Sequence, residues 1–102
     1  MVDISRALRT AAKTGSVLYG YKETSDAVAD EDAQAVVLAR NMPQEHRDDV
    51  LETADDHHVP IVEFPGTNVE LGPALGEPFS VASAAILDPG ESDILEAAKR
   101  SA

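Results

Sequence analysis

The sequence predicts an α/β sandwich, one central sheet with helices on both faces, and three observations carry that expectation. Apolar spacing switches repeatedly between a helical and a strand period along the chain. Ala35-Val-Val-Leu-Ala39 is a continuous apolar run, the pattern of a strand covered on both faces. Turn-forming residues (Gly15, Gly20, Pro65-Gly66, Gly76 and Asp88-Pro-Gly90) stand where the period changes.

Taken in order, Ile4, Leu8 and Ala11 follow helical spacing from an Asp3 cap, and Gly15 ends that helix. Ser16 to Gly20 contains Val-Leu-Tyr and reads as a short buried strand. Lys22 to about Asp32 is polar, with Ala27, Val28 and Ala29 inside it, and predicts a weakly amphipathic helix. The Ala35–Ala39 strand follows. Asn41-Met-Pro43 opens the next helix, with Asn41 able to cap it and Pro43 in the first turn, where proline is tolerated. Its core stripe is Val50, Leu51 and Ala54. Pro60 to Phe64 is a strand, and Thr67 to Leu75 a helix with Leu71, Ala74 and Leu75 inward. Phe79 to Leu87 is a long apolar strand. The last expected helix, Glu91 to Arg100, buries Ile94, Leu95 and Ala98. No repeat, low-complexity stretch or linker interrupts this order, so residues 1–102 form one domain.

Composition bounds the function. The 102 residues hold no cysteine, which excludes a disulfide framework. Lys and Arg total 8 against 19 Asp and Glu, a net charge of −11, yet a hydrophobic fraction of 43% marks a folded domain and not an acidic disordered tail. No apolar run reaches the roughly 18 to 20 residues that span a bilayer. The start, Met-Val-Asp-Ile-Ser-Arg, lacks the order of a secretory signal, so a cytoplasmic location is expected. Taken alone, a pI near 4.4 argues against nucleic acid, because phosphate binders are usually basic. The acids are unevenly spread, however. Glu23 to Asp32 holds five acids and no base, and Glu45 to Asp56 holds six with Arg47 alone. Lysine is confined to Lys13, Lys22 and Lys99, and aromatic residues make up 4%. A carboxylate-rich, lysine-poor surface over a small-residue core suits a proteome working in concentrated salt; an ordinary acidic mesophilic protein is the plainer alternative.

Enzyme signatures are missing. The chain has no Gly-x-Ser-x-Gly elbow, and Gly66 to Gly72 lacks the lysine of a phosphate-binding loop. Asp55-Asp56-His57-His58 has metal-ligand chemistry, but adjacent helical residues diverge by about 100°, so a solvated helix end is expected in place of a metal site. No catalytic residue and no cofactor is expected. The unusual residues instead fall at strand ends, where loops of an α/β sandwich gather and ligands bind.

Five motifs in register cover nearly the whole chain: Thr14-Gly15 with Gly20-Tyr-Lys22; Ala39-x-Asn41-x-Pro43; Phe64-x-Gly66-x-Asn68-x-Glu70-Leu71-Gly72; Gly76-x-Pro78-Phe79-x-Val81; and Asp88-Pro-Gly-Glu-Ser-Asp-Ile-Leu95. Together they resemble the archaeal and eukaryotic large-subunit ribosomal protein family L-thirty-e, a relative of the L-seven-Ae kink-turn RNA binders. The resemblance implies a three-layer α/β/α sandwich with a four-stranded mixed sheet, and binding of a kinked internal loop of ribosomal RNA by loops at one end of that sheet. It implies a ribosome-associated protein among other large-subunit components, a monomer when free.

Carried over, Gly20 allows close approach of the RNA backbone, and Lys22 contacts phosphate. Asn41 reads a purine edge, while Asn68 and Glu70 make backbone and base contacts. Phe79 is the platform for an extruded base, and Val81 supplies an apolar edge. Ser16 and Ser80 stand where relatives often carry a base, so two phosphate contacts are given up. Two other readings remain: a kink-turn protein of a small guide-RNA particle, and an acidic α/β interaction domain without RNA binding.

Overall fold

The computed structural model describes residues 3–98. Its elements are α1 (Ile4–Thr14), β1 (Ser16–Tyr19), α2 (Tyr21–Ala29), β2 (Ala35–Leu38), α3 (Gln44–Asp56), β3 (Ile61–Glu63), α4 (Asn68–Ala74) and β4 (Ser83–Asp88), then a 3₁₀ turn at Ile94–Ala97. The four strands form one sheet in the order β1-β4-β2-β3. β4 is antiparallel to both neighbours and β2 is parallel to β3. β1, β2 and β3 therefore run the same way and β4 runs against them, a mixed sheet.

Side chains on successive strand residues point to opposite faces, and the core divides accordingly. Val37, Val62, Ala84 and Ile86 pack with Leu8 and Ala11 of α1, Leu71 of α4 and Ile94. Val36, Leu38, Ile61 and Ala85 pack with Ala27 and Val28 of α2 and Val50 and Ala54 of α3. α1, α4 and the 3₁₀ turn thus cover one face, and α2 and α3 the other. Every residue of β2 is buried, as a strand between two helical layers must be. Burying one such Val or Leu contributes roughly 1.5–3 kcal/mol, so the two clusters supply most of the drive to fold.

Local chemistry explains the ends. Asp3 caps α1, its carboxylate accepting from the Arg6 N–H at 3.2 Å. α3 closes at His57, whose N–H donates to the Thr53 carbonyl, and His58 turns the chain at φ 57° so that the Val59 N–H reaches the Ala54 carbonyl at 2.8 Å. The Asp55–His58 run is a helix terminus, and among the described residues no cluster of three or more His, Asp or Glu could hold a metal ion. No helix among them is long and apolar enough to cross a membrane.

Four elements differ from the sequence reading. β1 is not the buried strand expected: it lies at the edge of the sheet, with Ser16 and Leu18 exposed and Val17 and Tyr19 half-buried. α3 starts at Gln44 with Pro43 in the cap position, so Asn41 does not cap it. β4 starts at Ser83 and not at Phe79, because the neighbouring β1 ends at Tyr19 and the segment before Ala82 turns to α4: the Val81 N–H donates to the Asn68 carbonyl at 3.0 Å. The final helix is a single 3₁₀ turn. Residues 88–93 are consumed by a turn tied to α1 through the Glu91 N–H and Thr14 Oγ1 (2.9 Å), and Ala98 is already extended at φ −77°, ψ 139°. Ile94 is buried as expected, Leu95 and Ala98 only half so, and the expected Lys99 and Arg100 end lies outside the described residues.

Candidate nucleic-acid interface

Strand direction builds the site. The C-terminal ends of β1, β2 and β3 and the N-terminal end of β4 share one rim of the sheet. Hydrogen bonds stitch the four segments together there. The Gly20 N–H donates to the Ser83 carbonyl (2.9 Å), the Ala39 N–H to the Ala82 carbonyl (2.9 Å) and the Arg40 N–H to the Gly66 carbonyl (2.8 Å). A brace lies behind: the Arg47 guanidinium holds the Glu63 carboxylate as an ion pair and also reaches the Ala39 carbonyl at 3.4 Å. Arg47 is therefore occupied in fixing the ends of β2 and β3.

The amide pair at the rim is reciprocal. Asn41 Nδ2 donates to Asn68 Oδ1 at 2.8 Å, and Asn41 Oδ1 accepts from the Asn68 backbone N–H at 2.8 Å. Asn41 thereby caps α4, not the helix that follows it in sequence. The backbone donor also fixes which way the amide faces, so its second Nδ2 hydrogen points away from Asn68 and is open to a base edge.

Gly20 forms the cap of α2 at φ 109°, ψ 155°, a region essentially reserved for glycine. A Cβ there would meet only the flexible end of Glu23, so the backbone conformation is what demands glycine. Gly20→Ala is expected to destabilise the fold by about 1–3 kcal/mol, read as a lower denaturant midpoint. Lys22, the second residue of α2, is exposed and has no ion pair among the described residues.

Glu70 has a local occupation. Its Oε1 accepts from the backbone N–H of Thr67 at 3.0 Å and from the Thr67 hydroxyl at 3.2 Å, forming one arm of a capping box. The Thr67 backbone bond, then its hydroxyl, and more weakly the charge of Arg40, hold this carboxyl below its ordinary 4.5. A depressed carboxylate contributes stability that is present above the unfolded value and lost as pH falls through the folded one. The stability gap between wild type and Glu70→Gln should therefore be widest near neutral pH and shrink below pH 4.5. Paired denaturation curves across that range would show it, and a gap independent of pH would refute the assignment.

Phe79 is 50% exposed, an apolar ring presented to solvent. Tyr19 holds it from behind, edge to face, with centroids 6.0 Å apart and planes at 70°. The Tyr19 hydroxyl donates to Glu77 Oε1 at 2.8 Å, and that bond raises the phenol pKa, so the support stays neutral. Val81 is a correction. It is 4% exposed and belongs to the core beside Leu71 and Ile86, so its side chain offers no apolar edge to a ligand. The exposed apolar side chain beside the amide pair is Val69, at 67%, which the sequence reading did not single out. Tyr19, Val69 and Arg47 were all missed. An exposed Val within a helix carries no signal of its own, and the Tyr19–Phe79 and Arg47–Glu63 pairs join distant parts of the chain.

A half-exposed ring, amides with spare donors and unpaired cations meet on one rim of the sandwich, a candidate recognition surface. The chain belongs to the ribosomal protein L7Ae/L30e/S12e/Gadd45 family, whose model matches residues 3–96, and with it to a non-enzymatic structural class. It is 47% identical over 96 residues to the large ribosomal subunit protein eL30 of Methanosarcina mazei, covering 94% of this chain and 89% of that protein. The eL30 of Pyrobaculum neutrophilum is 44% identical, with 94% and 95% covered, and that of Methanopyrus kandleri 37%, with 98% and 92% covered. A solved structure of a Bacillus halodurans protein of unknown function superposes with a TM-score of 0.78 at 19% identity, over 86% of this chain and 87% of that one, a likeness of fold.

Proposed function

We propose that this chain is a structural constituent of the large ribosomal subunit, and that its rim grips a kinked internal loop of ribosomal RNA. The observation that carries the reading is the convergence of four distant segments on one rim, with Phe79 half-exposed over Tyr19 and the Asn41–Asn68 pair beside it. The relatives named above, eL30 proteins of the large subunit, support the address.

Phe79 stacks an extruded base, the spare donor of Asn41 meets the edge of an unpaired purine, and Lys22 meets phosphate. Glu70 keeps Oε2 for a base donor while Oε1 caps α4. Most acids of α2 and α3 do not oppose this, because they come after the first turn of their helices; Glu23, whose carboxylate reaches Gly20, is an exception. The composition fits work in concentrated salt, where about 3 Å of screening length at 1 M removes their distant repulsion.

The test is a binding titration of purified protein with large-subunit ribosomal RNA fragments at low and molar potassium chloride, beside co-sedimentation with ribosomal subunits. Binding to an internal-loop fragment and migration with the large subunit are expected. No binding at molar potassium would leave an acidic interaction domain. Migration with a methylation-guide particle would move the address.

A further inference from the structure

We infer that the RNA-binding surface continues past the rim into the groove between α1 and the turn after α4, where Arg9 and Lys13 hold the phosphates of a second stretch of RNA backbone. This rests on the proposed RNA-binding reading and extends it to surface that reading does not use.

The charge distribution points there first. Helix α1 carries Arg6, Arg9 and Lys13 and no acid, whereas residues 15–98 carry three bases and eighteen acids. The three bases are spaced i, i+3 and i+7, which at about 100° per residue places them within about 60° on one helical stripe. All three are exposed, and none has an ion pair among the described residues. In a chain with this excess of carboxylate, Arg9 and Lys13, which line a groove holding a single acid, are set apart from the rest of the surface.

The groove itself is the second observation. It holds about 330 Å³ and is lined by Arg9, Lys13, Tyr19, Gly76 and Glu77 among others. Tyr19 is the ring that supports Phe79, so the groove abuts the base platform and a strand leaving the platform enters it. Gly76 keeps the wall open, with no atom within 4 Å of where a Cβ would stand. Glu77 is the one acid in the lining, and its Oε1 is taken by the Tyr19 hydroxyl. Arg6 does not take part, since it lines the neighbouring cavity among Asp3, Glu91, Asp93 and Glu96, where its charge is outnumbered. A phosphate track next to a stacking platform fits one polyanion running through both.

The test compares wild type with the double variant Arg9→Gln/Lys13→Gln on two RNAs. One is a hairpin carrying only the internal loop; the other is the same loop with its flanking ribosomal helix and the strand beyond. Circular dichroism checks that the variant is folded. The variant is expected to bind the short hairpin within twofold of wild type and the long RNA about tenfold more weakly at 0.1 M potassium chloride. Its slope of log affinity against log salt on the long RNA should fall by about 1–2, the loss of one or two phosphate contacts. Equal loss on both RNAs would show damage to the rim and overturn the inference. Unchanged affinity for the long RNA would do so as well and leave the groove to another polyanion, such as an acidic protein segment. A wild type that binds neither RNA removes the rim reading itself, which is a separate outcome.

Discussion

Phe79→Ala is expected to weaken RNA binding by roughly 5- to 150-fold while lowering stability by only about 1 kcal/mol. The first figure follows from base–aromatic stacking, worth about 1–3 kcal/mol per base. The second is small because the ring is already half in solvent and loses mainly its edge contact with Tyr19. The comparison that tests the mechanism is Lys22→Ala. A single phosphate contact draws on counterion release, which yields little in concentrated salt. Stacking has no such dependence. In molar potassium chloride Phe79→Ala should therefore cost more than Lys22→Ala, and the gap should narrow as salt is removed. If Lys22→Ala proves the costlier change in concentrated salt, recognition by stacking and base edges is wrong.

Gly72→Ala should be strongly damaging, striking fold and binding together. A Cβ at position 72 would stand 1.7 Å from the Phe79 carbonyl oxygen, 2.8 Å from its carbon and 3.4 Å from Ser80 Cα. The obstacle is backbone, so no rotamer relieves it. Either α4 shifts or residues 79 and 80 lift away. Overpacking of this kind costs about 1–3 kcal/mol and occasionally more. Lifting the segment also moves Phe79 off Tyr19 and loosens the Val81-to-Asn68 hydrogen bond at 3.0 Å. A drop in denaturant midpoint accompanied by RNA binding at least as weak as that of Phe79→Ala is expected. A Gly72→Ala protein that binds RNA like wild type would mean that the platform is not positioned by α4.

Periodicity reports burial, and that is why most of the fold can be read in one dimension. Ala35–Ala39 is fully buried because two helical layers sandwich β2, and the run says so directly. It cannot report what an apolar residue is buried against. Phe79-to-Leu87 looks like one strand because Val81 is as buried as Ile86, yet Val81 packs beside α4 while Ile86 sits in the ladder. Capping residues were legible where they act on their own helix, as Asp3 does, and not where they act across space. Asn41 has the right chemistry for a cap, but the helix it caps begins at Asn68. The family motifs named Gly20, Asn41, Asn68 and Phe79, which come from distant segments that meet at one end of the sheet. They did not reveal that Glu70 is partly occupied by Thr67, or that Phe79 stands on Tyr19.

The reversed direction of β4 has a consequence for the order of events during synthesis. β1 has no partner in the sheet except β4, and their register joins Ser16 to Asp88 and Tyr19 to Ala84, across most of the chain. Closing so long a loop is entropically late, and it waits for the ribosome to deliver the last strand. Until Ser83 has emerged, β1 is unpaired, the Gly20 N–H has no acceptor and Tyr19 is not yet held in the sheet against Phe79. A partial chain therefore lacks the Tyr19–Phe79 platform of the proposed RNA site. The proposed recognition surface is completed by the final pairing, so only a finished copy presents Phe79 on Tyr19.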